Sequence, residues 1–148
     1  MADTVSKTER SRIMAAVKGK DTAPEMVVRR MVHAMGYRYR LHVRGLPGTP
    51  DMVLVRHGKI IEVRGCFWHD HATGKCLGRG CRLPVANRAY WRGKIARNRR
   101  RDAATLVALR RLGWRVLIVW ECQTSGAVPL AARLRGFLQR GVAVAKRN

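Results

Sequence analysis

The sequence predicts an α/β fold, a single domain in which a central mixed sheet is flanked by helices. Three observations predict it. β-branched runs recur at residues 51–55, 59–63 and 114–122; segments of helical periodicity surround them; and the two kinds alternate along only 148 residues. A chain of that length buries most of one core without disulfides or a second domain, so the domain is expected to span 1–148.

Residues 6–17, SKTERSRIMAAV, read as a short N-terminal helix stopped at Gly19. In DTAPEMVVRRMVHAMG, Thr22 is placed to cap a second helix, Pro24 suits its first turn, and Glu25 lies at capping-box spacing. Val27 or Val28, Met31, Val32 and Met35 follow at helical spacing, and Gly36 supplies the stop. The period then changes to two. Tyr37, Tyr39, Leu41 and Val43 alternate with Arg38, Arg40, His42 and Arg44, which predicts a half-exposed strand. After the turn GLPGTP, the runs DMVLV and KIIEV, joined by Arg56-His57-Gly58, predict an antiparallel hairpin.

The segment 65–87 is too long to be structureless inside a compact domain unless something organises it. A long helix is expected from Asn87, with Leu106, Leu109 and Leu112 on one side and Gly113 at its end. WRVLIVWEC has the continuous apolar run of a strand buried on both faces, and PLAARLRGFLQRG reads as a closing helix.

Charge narrows the function. The 31 Lys and Arg outnumber the 9 Asp and Glu to give a net +22, a self-repulsion that a compact domain tolerates best with a polyanionic partner. Nucleic acid is the leading candidate, and the nine basic residues between Arg88 and Arg111 suit phosphate contacts. No apolar run is long enough for a membrane span, and the N-terminus lacks the apolar stretch of a secretory signal. A reducing cytoplasm is therefore expected, where the four cysteines are thiols or metal ligands rather than disulfides.

Cys66, His71, Cys76 and Cys122 make a soft donor set suited to tetrahedral structural zinc, three from one loop and one from the end of a strand. Cys81 rivals Cys76, which is favoured, and scattered buried cysteines are the plain alternative. His69 and His71 are two apart, so in an extended segment they face opposite sides. A second set is acidic. Pro50-Asp51 opens one strand of the hairpin, while Glu62, Val63 and Arg64 lie on the other, a pattern able to build a hard-oxygen site for magnesium. This resembles the PD-(D/E)xK nuclease pattern with Arg in place of Lys, and the order of helices and strands around it is that class's core order.

The segments RSRIMAAVKGKDTAPE, LPGTPDMV, GCFWHDH, YWRGKIARNRRRD and LGWRVLIVWEC together resemble the very-short-patch-repair (Vsr) mismatch endonucleases. The resemblance runs from about residue 10 to residue 122. It implies a restriction-endonuclease-like fold and a magnesium-dependent enzyme that nicks the thymine strand 5′ of the T in a T:G mismatch, the product of 5-methylcytosine deamination. Asp51 would hold magnesium with the main-chain carbonyl of Val63. His69 would be the general base, and Glu25 would orient His69 or the attacking water. Phe67, Trp68 and Trp91 match the aromatics that wedge beside the mismatch, with Met14 on the N-terminal helix, within 1–20, entering from the other groove. Core packing is the plainer reading of one of the two tryptophans. Lys94 and Asn98 would read bases, and Asp102 would support the catalytic shell.

One departure matters. Where family members usually carry a histidine before GCFWH, this chain has Arg64, which cannot shuttle a proton but can stabilise a phosphate, and Glu62 then becomes a candidate second magnesium ligand. The competing readings are a zinc-stabilised DNA-binding protein without cleavage, and another PD-(D/E)xK nuclease that cuts matched duplex. The implied partners are mismatched double-stranded DNA and a mismatch-repair factor; a single nick needs only a monomer.

Overall fold

The computed structural model describes residues 6–9, 21–66 and 86–140. Met14, Phe67, Trp68, His69, His71, Cys76 and Cys81, and most of the expected N-terminal helix and loop 65–87, lie outside the described residues.

The described elements run α1 (Ala23–Ala34), β1 (Arg40–Leu41), β2 (Met52–Leu54), β3 (Lys59–Arg64), α2 (Arg88–Arg111), β4 (Arg115–Trp120) and α3 (Ala127–Gln139). The strands form one mixed sheet in the order β1-β2-β3-β4, antiparallel except for the β3–β4 pair, which is parallel. The parallel pair requires a long crossover, and α2 lies within it.

Period-two alternation distributes the core. Met52, Leu54, Ile61 and Val119 bury one face against Val28 and Val32 of α1 and Leu130, Leu134 and Leu138 of α3. Val53 and Ile60 bury the other face with Leu109 of α2. The layers are therefore helices, sheet and helix.

α1 begins as its sequence predicts: the Thr22 hydroxyl accepts the Glu25 N–H, with Pro24 in the first turn. The reciprocal half of the capping box is shifted, because the Glu25 carboxylate accepts the N–H of Asp21 rather than that of Thr22. The hairpin is present with Met52 opposite Ile61, and Val55–His57 and a left-handed Gly58 make its turn.

Three expectations are corrected. The strand expected over 37–44 shrinks to Arg40–Leu41, ended by His42, whose left-handed backbone, φ 47°, no regular strand accommodates. β4 is not buried on both faces: it lies at the end of the strand order, Arg115 is exposed, and Val119 alone in it is fully buried. On α2 the inward stripe is Trp91, Ile95 and Leu109, whereas Leu112 is 56% exposed because the helix ends at Arg111 and the chain turns away at Gly113.

Two contacts lock the frame around the hairpin. Gly48, at φ 72°, brings the turn before Asp51 so close to α2 that a Cβ there would collide with Thr105. Lys59, at 1% exposure, donates from Nζ to the carbonyls of Phe137, Leu138 and Arg140 at 2.7, 2.9 and 2.9 Å, closing the open C-terminal end of α3. Burial, with Arg115 and Arg140 adding repulsion, holds this ammonium below the usual lysine range. Lys59→Met keeps most of the stem but leaves three carbonyls without that donor. It is expected to lower stability by about 2–4 kcal/mol in urea melts.

Candidate active site

The hairpin register sets the site. Met52 pairs with Ile61, so Asp51, one residue earlier, comes beside Glu62. The Asp51 Oδ2 accepts the Val63 N–H at 2.9 Å, and the Asp51 main-chain carbonyl accepts the His42 N–H at 3.2 Å. One aspartate is thus tied to β3 by its side chain and to the end of β1 by its backbone.

Burial pushes the Asp51 carboxyl up to about 6, with the Val63 N–H opposing the rise and Glu25 and Glu62 adding repulsion. Glu62 is itself buried and accepts from the Arg64 guanidinium at 3.1 Å. Arg64 therefore neutralises the second carboxylate of the hairpin.

α1 supplies a third carboxylate. Glu25, at 4% exposure, pairs with Arg29 at 2.8 Å, and the same Arg29 Nη2 reaches Asp21 at 2.8 Å. Asp21, Glu25 and Arg29 are spaced by four, which aligns them along one side of the helix start. The Arg29 contact is also what holds the Asp21 carboxyl below its ordinary value. His42 completes the group: its Nε2 is 3.0 Å from Arg29 Nη2, and its Nδ1 is 3.9 Å from Asp51 Oδ1. Among the described residues, Asp21, Glu25 and His42 are the one set of three donor atoms close enough to share a cation, all within 4.8 Å of one another. A guanidinium already stands among them. Asp51, Glu62 and the Val63 carbonyl are the further hard-oxygen groups at the hairpin, of the kind magnesium prefers, with Glu62 engaged by Arg64 as Glu25 is by Arg29.

Of the expected site residues, Glu25, Asp51, Glu62, Val63 and Arg64 come together. Asp102, Lys94 and Asn98 lie on α2 and are half-buried, with Asn98 accepting from Arg101 at 3.2 Å. Trp91 is 7% exposed and belongs to the inward stripe of that helix, so its ring is covered in this conformation. Cys66 and Cys122 meet across the sheet end, the Cys122 N–H donating to Cys66 Sγ at 3.4 Å.

Asp21, Arg29 and His42 were not expected. The four-residue spacing could have linked Asp21 and Arg29 to Glu25. His42 carried no such signal, since it reads as one outward position in an alternating strand.

Buried carboxylates at the mouth of a hairpin, in a strongly basic α/β domain, suit a nuclease, and the relatives of this chain are of that class. The family model described as DNA mismatch endonuclease Vsr matches residues 2–75. The "Type II nicking enzyme V.XorIIP" of Xanthomonas oryzae pv. oryzae is 44% identical over 93% of this chain and 98% of its own length. The "DNA mismatch endonuclease Vsr" of Escherichia coli is 37% identical over 85% of this chain and 78% of its own. The "Type II nicking enzyme V.NmeAIP" of Neisseria meningitidis is 32% identical over 94% and 96%. The chain belongs to the Vsr family of DNA mismatch endonucleases. No helix among the described residues is long and apolar enough to cross a membrane.

The buried carboxylate has a measurable cost. Because its folded value, about 6, lies above the ordinary 3.8, ionised Asp51 opposes folding above pH 6, and the penalty fades as pH falls through that window. In EDTA, Asp51→Asn is expected to gain on the order of 2 kcal/mol at pH 7.5 and nothing below pH 4, by thermal melts.

Proposed function

We propose that this chain is a magnesium-dependent endonuclease that nicks the thymine strand 5′ of the T in T:G mismatches. The observation that carries the reading is the gathering of Asp21, Glu25, Asp51 and Glu62, four of only nine acidic residues, in a chain of net charge +22. A basic DNA-binding protein has no need of buried carboxylates; a phosphodiesterase does. The printed names of the relatives, a mismatch endonuclease and nicking enzymes, support the same activity.

Asp51 would hold magnesium with the Val63 carbonyl, and Glu62 stands ready as a further ligand. Bound there, magnesium would neutralise charge on the scissile phosphate and favour ionisation of the attacking water. His69 would take the water's proton, and Glu25 would orient it. Arg64, paired with Glu62, would offer its guanidinium to phosphate in place of a proton-shuttling histidine. Asp102 would support this shell from α2, where Lys94 and Asn98 would read bases and the exposed arginines would contact phosphates. Phe67 and Trp68, opposed by Met14, would open the mismatched step, with Trp91 joining them once uncovered. Cys66, His71, Cys76 and Cys122 would hold a structural zinc, a reading supported by the contact between Cys66 and Cys122.

End-labelled duplexes carrying T:G, T:A or C:G at one position test the activity. Nicking of the T:G duplex alone, on its thymine strand, is expected with magnesium; EDTA or Asp51→Asn should remove it. Binding without cleavage would instead favour the zinc-stabilised DNA-binding protein, and cleavage of both strands of matched duplex a different nuclease.

Metal analysis tests the second cofactor. About one zinc per chain is expected after mild purification, lost on Cys122→Ser; metal-free but folded wild-type protein would eliminate the site.

A further inference from the structure

We infer that His42, held by Arg29 at Nε2 with its Nδ1 turned toward Asp51, is a positioning residue for Asp51. The inference deepens the proposed nuclease site and rests on it, because it gives Asp51 a second orienting partner.

The tautomer follows from what Arg29 can do. A guanidinium nitrogen donates and never accepts. Arg29 Nη2 lies 3.0 Å from His42 Nε2, closer than the Asp21 and Glu25 carboxylates, which stand 3.5 and 3.7 Å from that ring nitrogen. At that separation Nε2 presents its lone pair to the guanidinium, which puts the ring proton on Nδ1. The carboxylate recorded nearest Nδ1 is Asp51, whose Oδ1 is 3.9 Å away. That is an electrostatic contact, too long for a hydrogen bond. The other carboxylate oxygen, Oδ2, is already taken by the Val63 N–H. Asp51 is thus hydrogen-bonded by a backbone N–H at Oδ2 and faced electrostatically by the imidazole Nδ1 at Oδ1.

Two independent features point the same way. His42 sits at φ 47°, a left-handed conformation that is uncommon for residues other than glycine, and it ends β1 after two residues. Regular alternation, with Leu41 and Val43 on the other face, would have carried the His42 ring along a longer strand. The backbone departure instead leaves it between α1 and Asp51. Arg29 is the second feature. It is 7% exposed and its Nε is buried without a hydrogen-bond partner among the described residues, while its Nη2 alone serves Asp21, Glu25 and His42. Arg29 thereby holds the ring nitrogen of His42 that lies opposite the one facing Asp51.

The test separates donation from mere packing. His42→Asn places an amide N–H where Nδ1 stands and tolerates the left-handed backbone. His42→Gln extends toward Arg29 but offers Asp51 no donor in that position. Nicking of the T:G duplex by wild type in the same assay is the control: without it, the proposed activity fails rather than this inference.

With wild type active, His42→Gln is expected to lose about 10–100-fold in turnover at saturating DNA, the usual effect of removing an orienting partner of a metal ligand. His42→Asn should recover most of that loss. Equal rates for wild type and the Gln variant, or equal losses in both folded variants, would overturn the proposal. A second readout needs neither metal nor activity. In 15N-histidine-labelled protein at pH 8 in EDTA, the ring signals that vanish in His42→Gln should report protonated Nδ1 and bare Nε2. The Nε2–H tautomer would overturn the assignment even if the rates agree.

Discussion

The antiparallel register of β2 and β3, Met52 against Ile61, is the constraint on which the site depends. It brings Asp51 beside Glu62 and lets the Val63 N–H reach the Asp51 carboxylate. A slip of one residue would also move Met52, Leu54 and Ile61 off the face they share with α1 and α3, so the hydrophobic layers enforce the alignment that the chemistry uses. Lys59, at the start of β3, strengthens the same alignment. It ties that strand to the C-terminal end of α3 through three carbonyls.

Around this hairpin the charge pattern of the chain is inverted. Basic residues dominate the whole molecule, yet carboxylates from α1, the entry of β2 and β3 converge, and two guanidiniums divide them. Arg29 engages Asp21 and Glu25; Arg64 engages Glu62. Asp51 lacks an arginine of its own in these contacts, and burial, with Glu25 and Glu62 nearby, opposes its ionised form. A divalent cation would offset that penalty, and the basic surface would bring the phosphates that need it.

Much of this was legible before folding was considered. The Thr22 cap, the stop at Gly36 and the hairpin turn at Gly58 are local devices, and each occurs where residue type demands it. Asp51, Glu62 and Arg64 could be picked out because a hairpin of known turn places strand positions opposite one another. Other features were hidden. Alternation over 37–44 promised a longer strand, and nothing local announces that His42 turns left-handed. The exposure of Leu112, expected on the side of Leu109, and the burial of Trp91 were decided by where α2 ends and how it packs.

The sequence by itself determined the class of domain, its layer order, the family and the acidic pair of the hairpin, because periodicity, turn chemistry and strand pairing act over short separations or through strongly patterned segments. Only the tertiary structure decided that His42 joins Asp21, Glu25 and Arg29 in one cluster beside Asp51. Those contacts join a helix, a strand end and a turn whose spacing along the chain has no period. Their geometry is set by how the helix layers pack on the sheet, not by any local preference.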